Sequence, residues 1–221
     1  QAEDGIRDSV ASRGLGDVYK RQIVDYGMGN VRSVQKALEH VAPNDNCILT
    51  SDPKFIRDSD RIVFPGQGAM GSCMSALEEN SLIDEIKFSF QSKPFLGICL
   101  GLQLLFDSSE EDKGTNGLSI VPGKVVKFKD NALKIPHMGW NNVNQSKDHP
   151  LWFNIENNSR FYSVHSYYVK PVNQDCVFGT TNYGHEFVSA IALDNVFAVQ
   201  FHPEKSQSDG LQLLSNFVNW S

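Results

Sequence analysis

No apolar run in the 221 residues approaches the roughly 20 that a membrane-spanning helix needs, so no such helix is expected. No apolar h-region of a secretory signal stands near the front. Cysteine is sparse and dispersed: Cys47, Cys73, Cys99 and Cys176 lie far apart, with no C-x-x-C pair. That pattern excludes a dense disulfide framework and a metal cage, and the expectation is a reduced, cytoplasmic protein that binds no metal. Positive charge is in deficit, with 20 Lys and Arg against 26 Asp and Glu, a net −6. A broad nucleic-acid surface is therefore not expected. There is no internal repeat, no low-complexity stretch and no linker that marks a second domain. What remains is a chain with 40% hydrophobic residues, ordinary for one large globular domain.

Residues 1–22, QAEDGIRDSVASRGLGDVYKRQ, carry charges of both signs among Gly and Ser without an apolar stripe. They read as a disordered or non-native leader. The domain is then expected over residues 23–221, with the start of its first strand in doubt, because Lys20, Arg21 and Gln22 stand where apolar residues belong. From there the elements alternate. QIVDY reads as a strand and NVRSVQKALEHV as a helix with Val31, Val34, Leu38 and Val41 at helical spacing. CILTS and DRIVFPG read as strands, and SCMSALEENSLIDEIKFSFQ as helical with a break. KPFLGIC reads as a strand and LGLQLLFDSS as a helix. This rhythm with nearly all-apolar strands predicts an α/β fold: a mostly parallel sheet covered by helices. The second half changes character: GLSIVPGKVVKF, FYSVHSYYV, CVFGTTNY, FVSAIALDN and VFAVQFHPE read as added antiparallel strands, before a closing helix GLQLLSNFVNW.

The stretch IVDYGMGNVRSV has the strand–glycine turn–helix order of a dinucleotide site. The match is partial: Gly27 and Gly29 are present, but the third position of the fingerprint is Arg32. Asp52 lies about 20 residues on, where a ribose-binding acid would stand.

A stronger pattern is Gly97-Ile98-Cys99-Leu100-Gly101, a nucleophile at a sharp strand-to-helix turn with glycines two residues to either side. A strained turn needs neighbours with almost no side chain. It projects the sulfur at the C-terminal end of the sheet, where open α/β sheets form their sites. The N-terminus of the following helix is expected to favour the thiolate. A buried structural Cys is the plain alternative. A thiol nucleophile needs a base and the base an orienter. In VQFHPEKS a strand ends before His202, Pro203 stops the ladder, and Glu204, two residues on in an extended stretch, reaches the imidazole. His40, His149 and His185 read as ordinary surface or core residues.

GICLGLQ together with FHPEKS resembles the class I glutamine amidotransferases, with their Cys-His-Glu triad. DYGMGN, FPGQGAM, PHMGWN and VHSYY narrow the resemblance to the glutaminase subunits of imidazole glycerol phosphate synthase. It covers residues 23–221 and leaves the leader unmatched. It implies the class I amidotransferase (flavodoxin-like) fold and hydrolysis of glutamine to glutamate and ammonia, which a separate cyclase subunit with a (β/α)8 barrel uses in histidine biosynthesis. By the resemblance, Cys99 is the nucleophile, His202 the base and Glu204 its orienter. Gln103, His165, Ser166 and Tyr167 bind glutamine. The backbone amides of Gly66, Gln67 and Leu100 form the oxyanion hole. Asn30, Trp140, Tyr162 and Lys205 face the partner, with Trp140 in a polar, turn-like stretch, and Gly27 and Gly29 shape the loop that presents Asn30. No cofactor is implied. Another class I amidotransferase subunit, of the anthranilate or aminodeoxychorismate synthase type, and a catalytically inactive module of the same fold stay open alternatives.

Overall fold

The computed structural model describes residues 20–27, 30–129 and 133–220. The first half contains β1 (Lys20–Val24), α1 (Val31–Val41), β2 (Asn46–Thr50), α2 (Pro53–Arg57), β3 (Arg61–Gly66), α3 (Met70–Glu79), α4 (Ile83–Ser92), β4 (Phe95–Cys99) and α5 (Leu100–Gln103). The second contains β5 (Phe106–Ser109), β6 (Thr115–Asn116), β7 (Val121–Lys127), β8 (His137–Asn142), β9 (Asn144–Gln145), β10 (Arg160–His165), β11 (Tyr167–Pro171), β12 (Val177–Tyr183), β13 (His185–Leu193), β14 (Val196–Val199) and α6 (Gln207–Asn219). Among the described residues no helix is long and apolar enough to cross a membrane.

The main sheet runs β2-β1-β3-β4-β14-β13-β11-β7-β5-β6, with β12 and β9 branching from β13. Its first five strands are parallel, and β13, β11 and β7 continue it antiparallel. β8 and β10 form a separate antiparallel pair. β3 and β4 are buried along their whole length. Sheet faces covered by helices on both sides require this continuous apolar run. Val31, Val34 and Leu38 of α1 meet Leu213, Leu214 and Phe217 of α6 in the core on one face. Met70, Cys73 and Leu77 of α3 and Ile86 of α4 join the core on the other.

The sheet directs the chemistry to one end. β3, β4 and β14 run in register, Gly66 opposite Cys99 and Val199 opposite Ile98. Three chain segments therefore leave the sheet side by side.

Several elements differ from the sequence reading. β1 begins at Lys20, and Lys20, Arg21 and Gln22 pair with β2 and β3. A ladder needs backbone partners, which β2 and β3 supply from both sides, so polar residue types do not end it. The rest of the expected leader lies outside the described residues. LGLQLLFDSS is one helical turn followed by a strand, because Phe106 to Ser109 find a parallel partner in β7. Trp140 stands in a strand, β8, and not in a turn. The expected helix break falls at Ser81, with φ 56°.

At Gly27 the turn after β1 offers no phosphate cradle. Gly27 has φ 81°, and its N–H donates to the Asp25 carboxylate at 3.0 Å. The amide is committed, and the charge beside it repels an anion. Gly29 lies outside the described residues; Asn30 starts α1 and is exposed.

Candidate active site

Cys99 holds φ 54° and ψ −109°, a conformation that costs about 1–3 kcal/mol and persists only where the surroundings impose it. They do so here. Leu102 is fully buried, and a Cβ on Gly101 would lie 1.9 Å from the Phe64 carbonyl oxygen of β3. α5 spans only four residues, so its dipole offers the sulfur much less than the sequence reading assigned to it.

His202 Nδ1 stands 2.9 Å from Glu204 Oε1, and both side chains are almost wholly buried. The predicted contact is present, but an extended stretch does not make it. Pro203 to Lys205 form a 3-10 turn that folds the carboxylate back under the ring. The opposite nitrogen, Nε2, is buried and makes no hydrogen bond. Burial alone would drive the ring to the neutral form. The Cys99 sulfur and the Glu204 carboxylate outweigh it and raise the imidazole to about 10. β10 clamps the segment: the His202 N–H donates to the Tyr162 carbonyl at 2.9 Å, and the Tyr162 N–H donates to Ser206 Oγ at 2.9 Å. Ser206 Oγ in turn donates to the His202 carbonyl at 2.6 Å. The sequence reading did not single out Ser206; a hydroxyl in a turn carries no distinctive signal.

Cys99 and His202 open onto a cavity of about 260 Å³ lined also by Gln67, Leu100, Gln103 and Glu111. His165, Ser166 and Tyr167 form its far wall. All four residues expected to bind glutamine are thus brought to the nucleophile. Gln103 is more constrained than expected. Both of its amide hydrogens are used inside the protein, one on the Tyr167 carbonyl at 3.1 Å and one on Gln200 Oε1 at 3.0 Å. Towards a ligand it can only accept.

Behind the wall runs a chain of hydrogen bonds whose direction is fixed by its ends. The Tyr167 carbonyl can only accept, so His165 Nδ1 donates to it at 2.8 Å. His165 Nε2 then accepts from His137 Nδ1 at 3.0 Å, and His137 Nε2 from the Asn141 amide at 3.2 Å. Both rings are neutral: burial lowers His137 to about 4 and His165 to about 3. His165 thus stands in the wall and braces the Tyr167 carbonyl. His137, Gln200 and Glu111 were not singled out from sequence. Glu111 sits in a charge run, EEDK, that reads as a solvated surface. It is instead an acid that lines the cavity, the only one among the described residues, anchored where its Oε2 accepts the Met70 N–H of α3 at 2.7 Å.

The loop after β3 lies across from Leu100. Gln67 and Gly68 line the cavity, while Gly66 is buried at the strand end. The Gln67 carbonyl accepts from Cys73 Sγ at 3.6 Å, so the Gly68 N–H of the same planar peptide points away from Cys73. Three of the four residues expected at a partner surface lie together. Trp140 and Tyr162 pair across β8 and β10 with ring centroids 6.1 Å apart, and Lys205 Nζ lies 5.9 Å from the Tyr162 ring. Trp140 is 37% exposed and Met138 beside it 57%. Asn30 lines a small cleft with His202 and Glu204. His149 is half-buried against Phe197, and burial lowers it to about 4, an ordinary packing role.

The model of the family Glutamine amidotransferase class-I matches residues 22–220. The imidazole glycerol phosphate synthase subunit HisH of Nitrosospira multiformis is 55% identical over 206 residues, covering 90% of this chain and 96% of that protein. The subunit of the same name from Thiobacillus denitrificans is 52% identical over 207 residues, 90% of each. Among solved structures, that of PurLQS from Thermotoga maritima aligns with a TM-score of 0.71 at 17% identity, covering 92% of this chain and 99% of that one. At that identity the likeness speaks for the fold alone.

Proposed function

From the premise that this chain belongs to the class I glutamine amidotransferase family, among the HisH subunits of imidazole glycerol phosphate synthase, we propose that Cys99, His202 and Glu204 hydrolyse L-glutamine and that the ammonia passes to a (β/α)8 cyclase subunit for histidine biosynthesis. The observation that carries this reading is the buried His202–Glu204 pair beside the strained Cys99, with His202 and Cys99 lining one amino-acid-sized cavity.

The chemistry follows from these positions. The Cys99 thiolate attacks the carboxamide carbon, and the oxygen takes the negative charge. The Leu100 N–H, the first amide of α5, and amides of the Gly66–Gly68 loop stabilise it. Such a donor is worth about 3 kcal/mol in the transition state. His202 Nε2 gives its proton to the leaving nitrogen, the C–N bond breaks, and ammonia departs from a glutamyl thioester. Water then attacks as His202 takes its proton, and the thiolate leaves glutamate behind.

Glutamine's α-ammonium needs acceptors. Glu111 and the Gln103 carbonyl, the one group Gln103 has left to offer, supply them at the cavity wall. Glu111→Gln keeps the acceptor that holds α3 and removes only the charge. Its expected result is a KM for glutamine raised about tenfold or more with kcat little changed, because the contact is made equally in ground and transition states. An unaltered KM in steady-state kinetics would remove Glu111 from the site.

Asn30, Trp140, Tyr162 and Lys205 form the docking face. An exposed aromatic ringed by polar groups suits such a surface. Glutamate release, measured for the chain alone and with the cyclase subunit carrying its ligand, tests the whole. Weak turnover alone and a large increase in the complex are expected. Equal rates would refute control by the partner, and no release under either condition would refute the glutaminase reading.

A further inference from the structure

We propose that Gln200 is a further catalytic residue, whose side-chain amide donates a hydrogen bond to the Cys99 sulfur and holds it as the attacking thiolate. Gln200 follows β14, lies two residues before His202 and is 1% exposed. Its Nε2 is 3.8 Å from Cys99 Sγ. The orientation of the amide follows from its neighbours. The Tyr167 carbonyl accepts only, so Gln103 must present nitrogen to it. That same nitrogen meets Gln200, which must answer with oxygen. The Gln200 nitrogen is left for the sulfur, and no flipped arrangement satisfies all three bonds.

The sulfur needs such a donor. It is buried, and a buried anion without hydrogen bonds is costly. The helix that would otherwise favour it is one turn long. His202 Nε2 receives the thiol proton on one side, and the Gln200 N–H meets the remaining negative charge on the other. A donor facing an ionised acceptor is roughly twice as strong as one facing a neutral group. The bond therefore weakens when the thioester neutralises the sulfur. It strengthens again when the thiolate departs in the second half of the cycle, so one amide serves both steps. Gln103 acts through it as a positioning residue.

This inference rests on Cys99 being the nucleophile, and the two can fail separately. The test is the pH dependence of Cys99 alkylation by iodoacetamide in the full chain, located by peptide mass mapping to separate it from Cys47, Cys73 and Cys176. Gln200→Met removes the donor at similar volume. Gln200→Glu keeps an acceptor for Gln103 and, once ionised, sets a negative charge against the sulfur. In both, the alkylation midpoint is expected to move up by about one pH unit, a roughly tenfold slower reaction below it. Profiles superimposable on the wild type in either variant would overturn the proposal. So would an inert Gln200→Met protein beside a fully reactive Gln200→Glu protein at pH 8, since acceptance from Gln103 would then be the residue's only role. A reading on the unaltered residue covers variants that do not fold: the Gln200 side-chain amide proton should shift in NMR spectra as Cys99 titrates, and a stationary resonance would overturn the assignment. If alkylated wild-type protein still releases glutamate, Cys99 itself is misread.

Discussion

Replacing Cys99 with alanine is expected to cut glutamate release from glutamine by about 10⁴-fold or more, measured with the partner subunit present. The magnitude follows from the way the site is built. His202 has its Nδ1 committed to Glu204, and its free Nε2 has no proton to take once the thiol is gone. The remaining amides still bind glutamine, but binding alone leaves only a small residue of the rate. The fold should be indifferent. The sulfur contributes little volume, and alanine inherits the same strained φ of 54°. A thermal midpoint close to the wild type's is thus part of the expected result. A Cys99→Ala protein that keeps more than about one hundredth of the rate would remove Cys99 as nucleophile.

The second large effect concerns the turn and not the reaction. Gly101→Ala places a methyl group 1.9 Å from the Phe64 carbonyl oxygen and 3.0 Å from its carbon. Both atoms are backbone of β3, held between β1 and β4, so no side chain can rotate out of the way. Either the strand or the elbow must move. The expected cost is about 3 kcal/mol or more, at the upper end for overpacking. For a chain of this length that lowers the melting midpoint by about 10 °C. Glutamate release should fall with it, because Cys99, Leu100 and Gln103 all ride on the displaced turn. A calorimetric midpoint equal to the wild type's would show that the turn does not approach Phe64 so closely.

How far the sequence could be read depended on whether a residue acts through its neighbours in the chain or through distant ones. The Cys99 elbow and the His202–Glu204 pair are local constellations, each within five residues, and both stand out in the text. The parallel half of the sheet was legible for the same reason: β3 and β4 are apolar along their whole length because both faces are covered. LGLQLLFDSS misleads because its apolar residues satisfy a helix as well as a strand. Tertiary pairing with β7 decides, and periodicity cannot see it. GWNN reads as a polar, turn-like stretch around Trp140, yet β10 gives that residue a strand partner in Tyr162. Glu111 and Gln200 were invisible for a further reason. One hides in a charge run and the other in the apolar run that leads into His202, and each is placed by a group many residues away, Met70 for Glu111 and Cys99 for Gln200.

The ordered chain from Asn141 through His137 and His165 to the Tyr167 carbonyl has a consequence for proton traffic. Two imidazoles stand together near His202, the base proposed above, an arrangement that resembles a relay. It cannot conduct. Every hydrogen along it is already committed in one direction, and a passing proton would have to charge rings that burial keeps neutral down to about 4 and about 3. The pair works as an insulator. Near neutral pH that leaves His202 as the cavity-lining histidine able to exchange a proton, and the proposed transfer to the leaving nitrogen runs through its ring alone.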